Sequence, residues 1–197
     1  MSDEEKVVNW FQENYKSLIV GVVIGLTILF GYKSYLTSQN TSQLELSRQF
    51  DLAVTSYQKG NNSEILSFSK SNMLENSDNI YTSLANLYSA KIMYLENKLD
   101  QSHLFLDHII INSDDDEIVN IAIYRKAKIL IEETKYEQAH TLLGDNPENY
   151  QHIELKGDLY YLQNNDNEAL KYYNMVLAYT ITPNEKKNIL SKINFIK

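Results

Sequence analysis

The 197-residue sequence contains no cysteine and only two prolines, Pro147 and Pro183. The absence of cysteine excludes a disulfide framework, a thiolate zinc site and a cysteine nucleophile. Proline rarely interrupts the chain, and no alternating apolar run is long enough to predict a β-strand. The sequence therefore predicts an all-α protein.

Positive charge is also in short supply. The chain has 18 Lys and Arg residues against 26 Asp and Glu residues, a formal net charge of −8. Three of the basic and four of the acidic residues precede Thr37, so residues 37–197 carry a charge of −7 and no basic run of five or more residues. Nucleic-acid binding requires positive charge that displaces counterions. The composition therefore argues against a nucleic-acid partner and against adhesion of this region to anionic lipid.

Motifs that carry chemistry are missing as well. The four histidines do not form an H-E-x-x-H motif, and no glycine-rich phosphate loop or G-x-S-x-G turn is present. The acidic run Ser113–Glu117 lacks the alternating ligands and central glycine of a calcium loop. We interpret it as a turn whose carboxylates favour the N-terminus of the next helix. The sequence predicts a non-enzymatic protein without cofactor or metal.

One long apolar run stands out, since residues 17–32 contain no charge. Extended to residues 17–36, it has twenty positions and one charge, Lys33, which matches the roughly 20 residues that a membrane-spanning helix needs. Trp10 and Tyr35 flank the uncharged part at residues 17–32, where aromatic rings favour the membrane interface. We predict a leader at 1–16, an uncleaved transmembrane anchor at 17–36 and a folded domain at 37–197.

Two other interpretations of this run are less favoured. A cleaved signal peptide has a basic start and a small-residue cleavage site, whereas this leader carries four acidic residues and bulky residues follow the run. A buried helix in a soluble protein is disfavoured by three glycines and many β-branched residues.

Small residues recur within the predicted anchor at Ser17, Gly21 and Gly25, four positions apart. This spacing makes a flat stripe against which another membrane helix packs closely. It indicates an intramembrane partner or a homodimer, although glycine is common in spanning helices in general.

The remaining chain alternates apolar segments with short polar clusters, which predicts stacked helical hairpins. Between about Tyr150 and Ile181, small and tyrosine residues follow the spacing of the tetratricopeptide pattern. They are Gly157, Tyr160, Ala169 and Tyr173. The same frame fits three earlier segments, at Ala127, Leu130, Ala139 and Leu143, at Ala90, Met93, Ser102 and Leu106, and at Ala53 and Ile65. A non-repeating helical bundle is the alternative.

Four polar pairs resemble capping boxes and predict helix starts. They are Asn61 with Glu64, Thr134 with Glu137, Asn165 with Glu168, and Thr182 with Glu185. Pro183 at the first helical position strengthens the last of them. We expect it to open a C-terminal capping helix that ends near Asn194 and buries four apolar residues, Ile189, Leu190, Ile193 and Ile196.

The chain contains fifteen tyrosines, which supply large contact areas at low entropic cost. Most are expected to pack between helices, and some to line a concave groove for a partner. The first helices of the repeats supply four candidate groove contacts, Asn86, Tyr94, Tyr124 and Tyr160.

The two ends of the chain resemble those of a known family. Residues 13–16, Gly21, Gly25 and Gly31, and the ending Thr182-Pro183 followed by residues 190–194, are similar to the YfgM family. Tyr15 and Tyr35 depart from that family's glycine and tryptophan at these positions. The resemblance implies a single-span bacterial inner-membrane protein with its N-terminus in the cytoplasm and a tetratricopeptide-like domain in the periplasm.

The resemblance also implies a function, as an ancillary subunit of the SecYEG translocon beside a PpiD-like periplasmic chaperone. It transfers no catalytic residue. Two alternatives stay open: a membrane-tethered scaffold or regulator for envelope processes independent of Sec, and a regulator that acts through the cytosolic leader.

Overall fold

The computed structural model describes residues 26–29, 32–33 and 41–196. The chain divides into two compact units, Met1–Gln49 and Phe50–Lys197. Most of the predicted anchor at 17–36 lies outside the described residues, together with the predicted boundaries at 16 and 36. Within the part of the chain that is described, no helix combines the length and the apolar character needed to cross a membrane.

The first unit is helical at residues 26–29, 32–33 and 41–49. Its best-defined contacts lie one helical turn apart. The Glu45 carboxylate accepts hydrogen bonds from Arg48 at 2.7 and 2.9 Å and from Gln49 at 2.8 Å. The hydrogen bond from Arg48, with that from Gln49, lowers the pKa of Glu45 to about 2. Pairs at this spacing support a helix on its exposed surface.

The second unit consists of helices and turns, with no β-strand among its described residues. Its first helix, α1, is the part of helical residues 41–58 that follows Gln49. The others are α2 (Ser63–Glu75), α3 (Ile80–Leu95), α4 (Leu99–Asn112), α5 (Asp116–Glu132), α6 (Tyr136–Leu143), α7 (Tyr150–Leu162), α8 (Asp166–Val176) and α9 (Pro183–Ile196).

Consecutive helices of this unit pack as a stack of hairpins. Helices α3 and α4, α5 and α6, and α7 and α8 form pairs, and each pair contacts the next. The Phe50 ring lies 6.0 Å from that of Phe68, which pairs α1 with α2. Helix α9 packs on α8 and closes the stack. The predicted all-α arrangement of stacked hairpins with a C-terminal capping helix is confirmed.

The four hairpins share one type of turn. The second residue after each first helix has a positive φ, at Gly60 (88°), Asn97 (58°), Thr134 (59°) and Asn164 (59°). In each turn, the following N–H bonds to the carbonyl five residues earlier, as from Lys98 to Met93 at 2.8 Å. This bond satisfies a carbonyl that the helix end leaves unpaired. The repeated geometry makes the four hairpins equivalent units.

Small residues bring the last hairpin together as the spacing predicted. A Cβ added to Gly157 would lie 2.6 Å from the Tyr173 ring, so glycine is required where this ring crosses α7. Ala169 and Tyr173 are buried at 0% and 2% exposure. The corresponding residues of the three upstream frames are also buried, namely Ala127, Leu130, Ala139, Leu143, Ala90, Met93, Ser102, Leu106, Ala53 and Ile65.

The predicted helix starts are correct in part. Asn165 accepts from the Glu168 N–H at 3.3 Å, and Thr182 and Glu185 bond reciprocally, as in a capping box. Asn61 accepts instead from the Ser63 N–H at 3.0 Å. The capping box predicted at Thr134 is wrong, because Thr134 occupies the left-handed turn and α6 begins one residue later than the box requires.

Helix α9 extends to Ile196, two residues beyond its predicted end. Ile189 and Ile193 are buried against the last hairpin, and Ile196 packs at its edge. The prediction that Leu190 is buried is wrong, since its side chain is 41% exposed. Leu190 directly follows Ile189, so the helical period turns it away from the stack.

Candidate partner-binding surface

A cavity of about 320 Å³ opens between α3 and α5, the first helices of two adjacent hairpins. Ala90, Leu106 and Ile129 are buried and contribute apolar surface to its lining. The α4 residues Ser102 and Leu106 reach it from the second helix of the hairpin. Ser102 is fixed by donating its hydroxyl to the Ala90 carbonyl at 2.8 Å. The packing of one hairpin against the next therefore forms this cavity.

Three cations line the cavity, Lys91, Arg125 and Lys128. None of them forms an ion pair with another described residue. Several other lysines of the unit do have a carboxylate partner, as Lys126 has with Asp107. Three cations without an ion-pair partner thus line one cavity in a chain that is acidic overall.

Arg125 is exposed, like the other two cations, but it also makes a hydrogen bond within the fold. One of its guanidinium nitrogens donates to the Leu87 carbonyl at 3.1 Å, which ties α5 to α3. Burial lowers the pKa of Arg125, and the nearby Tyr88 only partly opposes this effect. A guanidinium has five N–H donors, so donors remain after the bond to Leu87.

Lys128 and Glu132 complete the rim. The Lys128 ammonium lies 5.6 Å from the centroid of the Tyr124 ring, a cation–π distance. Glu132 is the one acidic residue among the described residues that line the cavity, and it accepts a hydrogen bond from the Tyr94 hydroxyl at 2.7 Å. That hydrogen bond, with the charge of Glu132, raises the pKa of Tyr94. The cavity therefore has an excess of positive charge.

The structure separates the four predicted groove contacts. Tyr94 lines the cavity and is 37% exposed. Tyr124 lies beside it, under Lys128, and burial together with the charges of Glu154 and Asp158 raises its pKa. Both residues therefore belong to the same side of the stack as the cavity.

Asn86 does not lie on a surface, which corrects its predicted role as a groove contact. It is 0% exposed and is held between helices by hydrogen bonds with Ser69 and with His108 Nδ1, the latter at 3.0 Å. His108 Nε2 donates to the Met73 carbonyl at 2.9 Å, which leaves Nδ1 free to accept from Asn86. Asn86 is thus part of a buried polar network.

Tyr160 is also engaged within the fold. Its ring stacks on Tyr172 at 5.3 Å and lies 4.8 Å from His140. These neighbours come from α8 and α6, so Tyr160 packs between hairpins.

Farther along the stack, Lys192 of α9 neutralises the acidic residues of α7. Its ammonium bonds to Glu154 at 2.7 Å and to Asp158 at 2.6 Å. Burial alone lowers the pKa of Lys192, but the hydrogen bonds to these carboxylates and their charges together raise it. Asp158 also accepts from the Tyr173 hydroxyl at 2.7 Å. This cluster therefore fixes the capping helix to the last hairpin.

Sequence analysis missed Lys91, Arg125 and Lys128. A usable signal was present, because Lys91 and Lys128 are 37 positions apart, as are Ala90 and Ala127. The two lysines therefore occupy equivalent positions of adjacent repeats. The predicted membrane stripe at Ser17, Gly21 and Gly25 lies outside the described residues. No group of three His, Asp or Glu residues that could hold a metal occurs in the parts of the chain that are described.

The stacked hairpins and their shared turns define a helical-repeat protein of the tetratricopeptide type. The chain belongs to the tetratricopeptide repeat-like domain family, whose model matches residues 8–196. It is similar to the ancillary SecYEG translocon subunit of Escherichia coli K12, with 27% identity over 124 residues. That match covers 61% of this chain and 59% of the relative, less than two thirds of its length. No solved structure matches the chain significantly.

Proposed function

We propose that this protein is a non-enzymatic interaction subunit at the bacterial inner membrane that assists SecYEG-dependent translocation. The observation that carries the proposal is the exposed surface on α3 and α5, in a domain whose family stacks helical hairpins to form binding surfaces. The name of the Escherichia coli relative supports the translocon as the partner.

The proposed arrangement gives each part of the chain one task. Residues 17–36 anchor the protein, and the stripe at Ser17, Gly21 and Gly25 packs against a partner span or a second copy. The hairpin domain lies in the periplasm. Its surface around Tyr94 and Tyr124 binds a PpiD-like chaperone or a chain that emerges from the channel.

Photo-crosslinking in cells tests the partners. A crosslinking residue at Gly21 is expected to capture a SecYEG subunit, and one at Tyr94 to capture a chaperone or an emerging chain. Leu74 is a matched control, because it is 91% exposed but lies on a second helix, α2. Equal capture from Leu74 and Tyr94, or no translocon subunit captured from Gly21, would contradict the proposal.

The absence of cysteine makes a clean test of topology. Single variants Ser2→Cys and Ser67→Cys can be treated in intact cells with a maleimide that enters the periplasm but does not cross the inner membrane. Ser67 is exposed on α2, so we expect labelling of Ser67→Cys and none of Ser2→Cys until the cells are lysed. The reverse pattern, or labelling of neither in intact cells, would refute the periplasmic placement.

A further inference from the structure

We propose that the junction between the first hairpin, α1 with α2, and the second hairpin, α3 with α4, opens when His108 takes up a proton. The junction then acts as an acid-sensitive hinge near the start of the stack. The inference goes beyond the proposed function, because it concerns how the repeat domain itself changes conformation.

Each of the four histidines connects one hairpin to the next, but they respond differently to a proton. In three of them the bonding nitrogen faces an oxygen acceptor, so a protonated ring keeps the bond. These contacts are His103 Nε2 with Glu133 at 2.7 Å, His140 Nε2 with Gln163 Oε1 at 2.9 Å and His152 Nε2 with the Asn120 carbonyl at 2.9 Å. Among the four, only His108 also uses a ring nitrogen as an acceptor in its described hydrogen bonds.

The two ring nitrogens of His108 have opposite roles. Nε2 donates to the Met73 carbonyl of α2 at 2.9 Å, and Nδ1 accepts from the Asn86 amide of α3 at 3.0 Å. A neutral imidazole has one donor and one acceptor, whereas a protonated imidazole has two donors. Proton uptake therefore removes the bond to Asn86, whose oxygen already accepts from Ser69. Since Asn86 is 0% exposed, its amide is left without a partner while the junction stays closed.

The face of α3 that carries Asn86 makes the junction easier to open. Thr82, Ser83 and Ser89 are three or four positions from Asn86, and residues at this spacing share one face of a helix. All three are 0% exposed, and their hydroxyls have no hydrogen-bond partner among the described residues. Buried polar groups without partners raise the free energy of the closed state, and opening returns them to water. This polar seam therefore lowers the cost of separating the two hairpins.

Charged groups near these contacts leave the ring itself unpaired with a carboxylate. Residues 82–90 of α3 carry no charge, and Asp107, which precedes His108 on α4, pairs with Lys126 of α5. The other charged residues that flank these contacts along the chain are exposed or half-buried, namely Lys70, Glu75, Asp114, Asp115, Asp116 and Glu117.

Proton uptake and opening are therefore linked. The flanking residues are mostly acidic and attract a proton, whereas the bond to Asn86 opposes it only in the closed junction. The open junction thus binds the proton more readily, and a state that binds more protons is favoured as pH falls. The effect should occur between about pH 5 and 8, where histidine changes its charge.

Hydrogen exchange of the full-length chain in a nonionic detergent, followed by mass spectrometry, tests the inference. Exchange is measured at about pH 7.5 and about pH 5.5 and corrected for the intrinsic pH dependence of amide exchange. We expect the amides of α2 to exchange about fivefold faster at the lower pH, as the loss of one hydrogen bond predicts. Exchange in α8 should change by less than about twofold, because local opening does not reach it. Equal acceleration in both helices, or none in α2, would overturn the inference.

Two matched variants assign the effect to one histidine. His108→Gln keeps one donor and one acceptor but does not titrate, so α2 should exchange slowly at both pH values. His140→Gln removes a histidine from a later junction and should leave the pH effect in α2 unchanged. Circular dichroism checks that each variant keeps the helical content of the parent chain. A pH effect that persists in His108→Gln, or disappears in His140→Gln, would contradict the role of His108.

Asn86→Asp decides the question if His108→Gln does not fold. A carboxylate at position 86 accepts from the protonated ring, so exchange in α2 should become slower, not faster, at the lower pH. An unchanged direction of the pH effect would refute the mechanism.

Ser83→Ala/Ser89→Ala tests the polar seam. Removing two buried hydroxyls that have no described partner should slow exchange in α2 at least about twofold relative to α8 at both pH values. Unchanged or faster exchange would show that the seam does not weaken the junction. None of these measurements involves the translocon, so their outcome is independent of the proposed function.

Discussion

The turn between α5 and α6 contains a residue that its conformation disfavours. Thr134 has a φ of 59°, whereas the equivalent turns use asparagine or glycine. A left-handed conformation brings Cβ close to the following carbonyl and costs about 1–2 kcal/mol, and β-branched residues suit it least. The Thr134 side chain is exposed and makes no described hydrogen bond that would offset the strain. We therefore expect replacement of Thr134 to stabilise the second unit.

The size of the effect follows from two opposing contributions. Thr134→Gly removes the strain of about 1–2 kcal/mol but increases the entropy of the unfolded chain, which costs about 0.4–1 kcal/mol. The expected net gain is about 0.5–1 kcal/mol. In a unit of this size, such a gain raises Tm by about 1–4 °C. Thr134→Asn should gain a similar amount, because asparagine tolerates this conformation without the added chain freedom of glycine.

Urea denaturation of the full-length chain in a nonionic detergent, followed by circular dichroism, measures the change. Asn97→Gly is the matched control, since it lies in an equivalent turn with a φ of 58° but starts from a tolerated residue. Its stability should change by less than about 0.5 kcal/mol. If Thr134→Gly is neutral or destabilising with an unchanged urea dependence, strain at Thr134 is not a cost to this fold.

Gly157→Ala should destabilise the second unit by about 1–3 kcal/mol, because the added Cβ would meet the Tyr173 ring at 2.6 Å; urea denaturation measures this, and a neutral result would contradict the close packing. Lys192→Met should lower the free energy of unfolding by about 1–2 kcal/mol in the same assay, because it leaves Asp158 without its cation. The loss should be smaller than for a fully buried ion pair, because Asp158 is partly exposed. Burial and the hydrogen bond to Asp158 raise the pKa of Tyr173. The stabilisation that Tyr173 gives the folded state is therefore complete at pH values below its unfolded-state pKa of about 10 and is lost at higher pH. Tyr173→Phe should thus make the fall of Tm at alkaline pH less steep. Hydrogen bonds in the capping box lower the pKa of Glu185. The stabilisation that ionised Glu185 gives the folded state is therefore lost as the pH falls below about 4.3. As the pH is lowered, the Tm of Glu185→Ala should fall less steeply than that of the parent chain.

The hairpin stack was predictable because its strongest constraint is local in sequence. Two helices approach closely only where a small residue faces a large one, and Gly157 with Tyr173 is such a pair. Positions with the same spacing in the earlier hairpins are buried for the same reason. Polar pairs were a weaker guide. Thr134 resembles a cap in sequence, but the turn needs a left-handed residue at that position, and the tertiary structure overrides the local preference of threonine.

The partner-binding surface was harder to predict, since the spacing of apolar residues predicts where a helix lies but not which of its faces is exposed. Asn86 and Tyr94 lie on the same helix, yet one is fully buried and the other lines the cavity. Asn86 was predicted as a contact because it lies on the first helix of a repeat, whereas its amide forms hydrogen bonds with Ser69 and His108 inside the stack. A polar residue among small neighbours, as in Ser83–Ala90, is equally typical of a buried network.

The repeat frame also explains where unpaired charge collects. Lys91, Lys128 and Asp158 directly follow Ala90, Ala127 and Gly157, so they occupy equivalent positions in successive hairpins. In the last hairpin this position is acidic and is neutralised by Lys192 of the capping helix. In the two hairpins before it the position is a lysine without a described carboxylate partner. Internal pairing therefore secures the end of the stack, while the equivalent charges at its centre remain available to a partner.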